Sequence, residues 1–396
     1  MLTVASPSRR LSGEGRGHFC PPPLSPTAQP ARVSALATAG KVPALPGNMT
    51  IQENIPLAPL TTLQVGGPAR YFAAAASQAE VCEAVQFARS KQLPFFILGG
   101  GSNLVVADSG WPGLALQIAI GGINTRTDAG GVSLDAGAGL DWDAFVAHAV
   151  SHNYAGVECL SGIPGSVGAT PVQNVGAYGQ EVSETIESVQ ALDLKTDRTV
   201  TLSNQDCGFA YRASMFNTTG RGRYVILRVS YRLKQDGAPS LKYADLQKYF
   251  STWSTPPSLS EVREAVRQIR RSKGMLIVAG DDDCRSAGSF FKNPALSEPQ
   301  FQELRRRAEA RELQIPSYPA LAAQRKVSAA WLVEHSGFFK GYALGPAKIS
   351  SKHALALVNV GHASAADMVR LKEHIQNQVQ ENWGILLDPE PVFVGF

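Results

Sequence analysis

Paired cysteines are missing from this sequence. Cys20, Cys82, Cys159, Cys207 and Cys284 stand singly, with no C-x-x-C spacing, which argues against a zinc site or a disulfide framework and fits a reducing cytosol. No apolar run reaches the length that spans a bilayer, so no membrane partner is expected. A basic surface is missing as well. The net charge of +4 is already supplied by residues 1–48, where Arg9, Arg10, Arg16, Arg32 and Lys41 face Glu14 alone. The near-neutral remainder cannot neutralise many phosphates, so nucleic acid is not an expected partner. No internal repeat is visible. Three adjacent carboxylates, Asp281-Asp-Asp283, read more simply as a solvated acidic loop than as a metal site, and no metal is expected.

Residues 1–48 also lack periodicity. They are rich in Pro, Ser, Ala and Gly around Pro21-Pro-Pro23, and no apolar segment follows the arginine pair as a secretory signal requires. We expect a disordered extension, with Met49 as the true start of translation.

Glycine, by contrast, is concentrated. The stretch from Ser161 to Glu181 holds five glycines and two prolines yet keeps Ile163, Val167, Val172, Val175 and Tyr178. Such density lets the backbone take positive φ and touch a flat or phosphorylated ligand. A run of tight turns in a β-rich domain is the plainer alternative. A second cluster, Gly99-Gly-Gly-Ser-Asn103, follows an apolar strand at 94–98 and presents consecutive amides that suit a pyrophosphate. It lacks the G-x-G-x-x-G spacing, and Leu104-Val-Val106 continues as a strand, so a Rossmann reading fails.

Around these loops the pattern predicts strands at 69–75, 104–106, 114–118, 131–136, 185–194, 198–202 and 223–233. Helices follow the caps Ser77 and Asp141. A loop with Leu241-Lys-Tyr-Ala-Asp-Leu246 leads to a capping box at Ser258 and Glu261, which opens a helix ending in Arg270, Arg271 and Lys273. Those basic residues complement the helix dipole even without a ligand. Further helices are predicted over 299–313, over 327–336 and from Ser364 to Trp383, with a strand at 355–360. The class is α+β.

Six blocks stand in one order: Gly99-Gly-Gly-Ser-Asn103, Ile163-Pro-Gly-Ser-Val-Gly168, Gln173-Asn-Val-Gly-Ala-Tyr-Gly179, Tyr211-Arg-Ala-Ser-Met-Phe216, Gly288-Ser-Phe-Phe-Lys-Asn-Pro294 and Asp388-Pro-Glu390. In that order the chain, from about residue 51 onward, resembles the UDP-N-acetylenolpyruvoylglucosamine reductases, flavoenzymes of bacterial cell-wall precursor synthesis. The 241–246 segment is similar to the subgroup that keeps a tyrosine over its substrate.

The resemblance implies a vanillyl-alcohol-oxidase/PCMH-type FAD-binding unit of two subdomains over 49–235. An α+β substrate-binding domain over 236–396 follows, its last strand returning to the site. It implies a cytoplasmic, monomeric oxidoreductase. NADPH reduces FAD, and the enolpyruvyl ether of UDP-N-acetylglucosamine is then reduced to UDP-N-acetylmuramate. The FAD contacts implied are Gly99, Gly100, Gly101, Ser102, Asn103, Ile163, Pro164, Gly168, Ala169, Thr170, Val172 and Gly176. Neither glycine loop holds a His or Cys to tether the flavin, so FAD is expected to be non-covalent.

Hydride delivery to the vinyl ether's β-carbon pushes charge onto the neighbouring carboxylate. Chemistry therefore needs polarising groups there and a proton for the α-carbon. The resemblance gives the carboxylate to Arg212 and Glu390, the latter needing a raised pKa, and the proton to Ser289. The flanking Phe290 and Phe291 are expected to keep the pocket dry. It gives the sugar nucleotide to Tyr178, Tyr243, Arg270, Lys273, Asn293, Tyr318 and His353. Seen singly, Arg212 could be a strand-surface arginine, Ser289 a turn residue and Glu390 a loop end. A flavin-dependent alcohol oxidase and a non-catalytic UDP-sugar-binding protein are the competing readings.

Overall fold

The computed structural model describes residues 49–319 and 324–396; the extension expected over 1–48 lies outside them. Three sheets frame the molecule. The first has strands Ile51–Pro56, Pro68–Ala75, Trp111–Ile118 and Phe95–Leu98 in that spatial order. Its first pair is antiparallel and the other two pairs are parallel. Helix α1 (Gln78–Ser90) supplies the crossover between the parallel strands. Ser77 accepts from the Glu80 amide at 3.2 Å and so caps it, relieving one of the four unpaired donors at a helix start.

The second sheet is antiparallel. Its order is Arg198–Ser203, Ile186–Asp193, Tyr224–Gln235, Gly131–Gly137 and Ile123–Asp128. Helix α2 (Trp142–Ser151), capped by Asp141, lays Trp142 and Phe145 against Tyr231 of the central strand. Residues of both sheets share one continuous core, from Tyr71 and Leu114 to Val189 and Tyr231. The predicted hairpin around 195–197 and the long strand after it are present.

The segment expected as a loop at 241–246 becomes helix α3 (Ala244–Tyr249) after Tyr243. Helix α4 (Leu259–Ser272) carries the capping box foreseen at Ser258 and Glu261. Leu246 and Phe250 join Val262, Ala265 and Val266 in a small core over Cys159. This arm therefore packs on the segment that leads into the long glycine stretch. A third sheet follows, of Ser286–Ser289, Ala356–Asn359, Ala347–Ile349 and Ala343–Leu344. Helices α5 (Glu298–Glu309), α6 (Ala329–Glu334) and α7 (Ala365–Trp383) complete it. Ser364 and Asp367 form the capping box of α7.

The segment from Leu104 to Asp108 fastens this last region to the core of the first sheet. Both carboxylate oxygens of Asp108 accept from the opening amides of α7, Ala365 at 2.8 Å and Ala366 at 3.0 Å. The strand Val392–Val394 pairs in parallel with Leu104–Val106, and Val392 and Val394 enter the core of the first sheet. Cys159, Cys207 and Cys284 are buried free thiols. The acidic run is accounted for by its neighbours. Asp281 binds Lys352 at 2.5 Å, Asp282 binds Arg285 at 2.8 Å, and Asp283 accepts from the Ser351 amide at 3.0 Å.

Candidate active site

The two glycine loops lie against each other. A Cβ on Gly100 would fall 2.6 Å from Gly165 Cα, and one on Gly101, at φ +64°, only 2.0 Å from the Leu60 carbonyl oxygen. No side chain fits at either position, so the approach requires glycine. The amides of Gly100, Gly101, Ser102 and Asn103 donate to no other group among the described residues, which leaves a short row of N–H groups open to an anion. The Asn103 side chain is tied down, donating to Gln173 Oε1 at 3.0 Å and to the Glu390 carbonyl at 3.2 Å.

The long glycine stretch is pinned from below. Thr170 Oγ1 and Tyr231 OH share a hydrogen bond of 2.7 Å inside the second-sheet core. Gly168 sits so close to Ala138 that an added Cβ would meet its Cβ at 2.5 Å. Asn174, at φ +46°, is a buried hub. Its side chain donates to Glu181 Oε2 at 2.8 Å and to the Ala210 carbonyl at 3.1 Å, and accepts from the Ser183 amide at 3.1 Å.

Between the loops opens a cleft of about 960 Å³, at the upper end of the range for cofactor and ligand sites. All twelve residues expected at FAD line it, as do Arg212, Ser289, Glu390, Tyr178, Tyr243, Arg270, Lys273, Asn293 and His353. Tyr318 does not. It stands exposed on Ser317–Pro319, and its cross-strand partner Lys326 lines the cleft in its place. The open amides and the glycine contacts that admit no side chain fit a long cofactor with a pyrophosphate, as FAD is.

Arg212 and Glu390 meet across the cleft, Nε to Oε1 at 3.2 Å. The Nε–H is buried but not aimed along a hydrogen-bonding direction, so it has no acceptor among the described residues. The two groups therefore touch without a well-aimed hydrogen bond, which leaves the Nε–H as a donor to spare. Nη2 donates to the Gly176 carbonyl at 2.8 Å, which orients the guanidinium. Arg212 itself sits at φ +54°, a region that non-glycine residues rarely occupy. Burial holds the Glu390 carboxyl above the usual carboxylate range, against the opposing pull of Arg212.

Ser289 ends a strand with a register shift after Ser286 and Gly288 at φ +76°. Phe290 and Phe291, expected as pocket walls, are instead buried in the third-region core. Their role is to anchor the backbone on either side of the site.

The far end of the cleft is basic and aromatic. Tyr178 packs edge-on to Tyr243 at 5.4 Å, with Lys273 Nζ 5.8 Å from the Tyr178 ring centre. Arg270 is buried. Its Nε donates to the Gly162 carbonyl at 3.0 Å and its Nη2 donates to the Met275 carbonyl at 2.6 Å. Burial lowers its pKa, yet an arginine stays cationic. Lys273 reaches Asp245 at 2.6 Å. Asn293 Oδ1 accepts from the Ala329 amide at 2.8 Å, which turns its amide group toward the cleft. His353 Nδ1 accepts from the Leu355 amide at 3.1 Å, so its ring hydrogen sits on Nε2. Burial, then Lys273, Lys340 and Arg270, push its pKa down to about 4. It is a neutral donor at ordinary pH.

Sequence reasoning passed over Lys326. Its Nζ stands 3.4 Å from the centre of the Tyr211 ring. Burial, and next Arg212, depress its pKa. Its strand, Arg325–Val327, is three residues long and carries no pattern that marks a site.

The same two regions match known families. Residues 69–203 match the FAD binding domain model, and residues 280–394 match that of the UDP-N-acetylenolpyruvoylglucosamine reductase C-terminal domain. The reductase of Thermobifida fusca is 45% identical over 348 residues, 86% of this chain and 97% of that protein. That of Streptomyces coelicolor is 46% identical over 346 residues, 86% of this chain and 89% of that protein. The crystal structure of the Thermus caldophilus enzyme superposes with a TM-score of 0.60 at 25% identity, covering 88% of this chain and all of that one. With two glycine loops around one cleft and relatives matched along most of its length, the chain belongs to the UDP-N-acetylenolpyruvoylglucosamine reductase family, whose members carry FAD.

Proposed function

We propose that Arg212, Glu390 and Ser289 together reduce the enolpyruvyl ether of UDP-N-acetylglucosamine to the lactyl ether of UDP-N-acetylmuramate, with NADPH as the source of electrons. Bound FAD supplies the hydride chemistry, from nicotinamide to the β-carbon of the ether. The protein's own part is binding, charge and a proton. The spare Nε–H of Arg212 offers the substrate carboxylate a charge-assisted bond. A protonated Glu390 beside it donates a second one, and an arriving carboxylate favours that protonation further. Both bonds strengthen as charge gathers on the carboxylate in the transition state. The Ser289 hydroxyl gives its proton to the α-carbon and recovers it by relay.

Arg270, Lys273, Tyr178, Tyr243 and the Nε2–H of His353 suit the diphosphate, which needs cations and neutral donors together. Residues 49–235 serve as the cofactor unit and 236–396 close over the sugar nucleotide. The enzyme works as a cytoplasmic monomer on soluble substrates. No described helix is long and apolar enough to cross a membrane, and the body apart from residues 1–48 is near-neutral.

The observation that carries this reading is the buried Nε–H of Arg212, which no well-aimed hydrogen bond satisfies, 3.2 Å from a carboxyl held above its normal range, on one cleft with Ser289. Anaerobic NADPH should bleach the yellow protein, and the enolpyruvyl sugar nucleotide should restore the colour. Recovery with air alone at an equal rate would instead favour an oxidase, and no recovery with the sugar nucleotide would favour a binding protein.

A further inference from the structure

We infer that Thr62 is a positioning residue for Ser289, linking the amide row of the first glycine loop to the strand that carries the serine. The Thr62 amide donates to the Gly101 carbonyl at 3.1 Å. Its hydroxyl donates to the Ser286 carbonyl at 2.6 Å, with a longer contact of 3.4 Å to the Ser102 carbonyl. The Ser286 hydroxyl then accepts from the Gly288 amide at 3.3 Å. Ser289 is the next residue.

This chain of bonds is placed where the strand needs it. Ser286 pairs with Val358 and Ser289 with Ala356, so the two residues between them, Ala287 and Gly288, face Leu357 alone. The bulge has one extra residue, and a bulge re-aims the side chain beside it. Gly288 has nothing within 4 Å of where its Cβ would stand, so packing does not set the angle of the turn. The hydrogen bonds from Ser286 and Thr62 hold it on the side before Ser289, while the buried Phe290, whose amide donates to the Leu355 carbonyl at 2.7 Å, holds the side after. A second grip lies farther off, where Asn359 Nδ2 donates to the Leu63 and Gln64 carbonyls at 3.2 and 3.1 Å. It docks the strand but does not reach the bulge. Thr62 therefore sets how far Ser289 stands from a cofactor seated on Gly100–Asn103. A displacement of about 1 Å in a reacting group lowers a rate by on the order of 10²-fold.

The inference rests on the proposed role of Ser289, and a double-variant cycle separates the two. Thr62→Val keeps the shape and removes the hydroxyl. In the FAD-loaded enzyme we expect flavin reduction by NADPH within about 2-fold of the parent and re-oxidation by the enolpyruvyl sugar nucleotide ~10-fold slower or more. Thr62→Ser restores the rate. Adding Thr62→Val to Ser289→Ala produces no further loss, since both act through one group. Independently of activity, amide hydrogen exchange at Ala287–Ser289 is faster in Thr62→Val. Ser286→Ala, which cuts the next bond and leaves Thr62 intact, gives the same split and serves if Thr62→Val loses its flavin.

Equal slowing of both half-reactions, additive losses in the double variant or unchanged exchange would each overturn the role of Thr62. An unimpaired Ser289→Ala enzyme would instead remove Ser289, and with it the premise.

Discussion

The amide of Glu390 donates to the carbonyl of Phe290 at 2.8 Å. Phe290 directly follows Ser289, so the serine and the carboxyl group are registered to each other by backbone. The Lys292 amide donates to the Asp388 carbonyl at 2.9 Å, and Phe291 bridges Pro389. Both phenylalanines are locked in the core. Changing the Ser289 or Glu390 side chain should therefore leave the frame in place, and the kinetic effects can be read as chemistry.

Ser289→Ala should still be bleached by NADPH at close to the parent rate. Re-oxidation by the enolpyruvyl sugar nucleotide should slow by ~10²-fold or more, the usual loss for a positioned acid. Stopped-flow absorbance of the two half-reactions measures both. Unchanged turnover would remove the serine from the mechanism.

Glu390→Gln should slow the same half-reaction by ~10–100-fold, the scale of one lost polarising group. The pH profile is the sharper readout. Because burial raises this carboxyl's pKa, its neutral form persists to higher pH than in an ordinary glutamate. Its contribution to stability is complete below the unfolded pKa and is lost as pH climbs through the folded one. The second half-reaction should decline over the same climb, and Glu390→Gln should flatten that limb. A limb that survives the substitution belongs to another group.

His353 gives the opposite sign. Its pKa falls from 6.5 to about 4, so between those values the unfolded chain binds the proton and the folded one does not. Stability from this residue is lost as pH drops from 6.5 toward 4. His353→Gln should lose less Tm than the parent between pH 7 and pH 4.5. Parallel losses in both proteins would show that the histidine is exposed and titrates normally.

Gly100→Ala should weaken FAD binding by ~10-fold or more, because the added methyl must displace the Gly165 backbone. Fluorescence titration of the apoprotein measures this, with far-ultraviolet circular dichroism to show that the fold is retained. Undiminished affinity would place the cofactor elsewhere.

Helix starts were legible because their signals are local. Ser77, Asp141, Ser258 and Ser364 each cap the helix that their sequence announces. Helix α3 escaped because Tyr243 precedes it and makes no side-chain cap. The strand Ile123–Asp128 escaped because it is a nearly wholly exposed edge without alternation to read. In the site, the glycine motifs and Arg212, Ser289 and Glu390 were found by their ordered resemblance, since each alone has an ordinary structural reading. Tyr318 was misplaced because spacing does not say which face of a three-residue strand turns inward. Phe290 and Phe291 were given the wrong task because adjacency to Ser289 does not say whether a side chain faces the cleft or the core. Lys326 and Thr62 gave no signal. Their importance comes from partners far along the chain, Tyr211 in one case and Ser286 in the other.

The pairing of Val392–Val394 with Leu104–Val106 also has a temporal side. A nascent chain emerges in order, so Leu104–Val106 has no strand to pair with until nearly three hundred further residues have left the ribosome. Glu390 arrives with that closing strand. The site is therefore assembled only once the strand that closes it has been made.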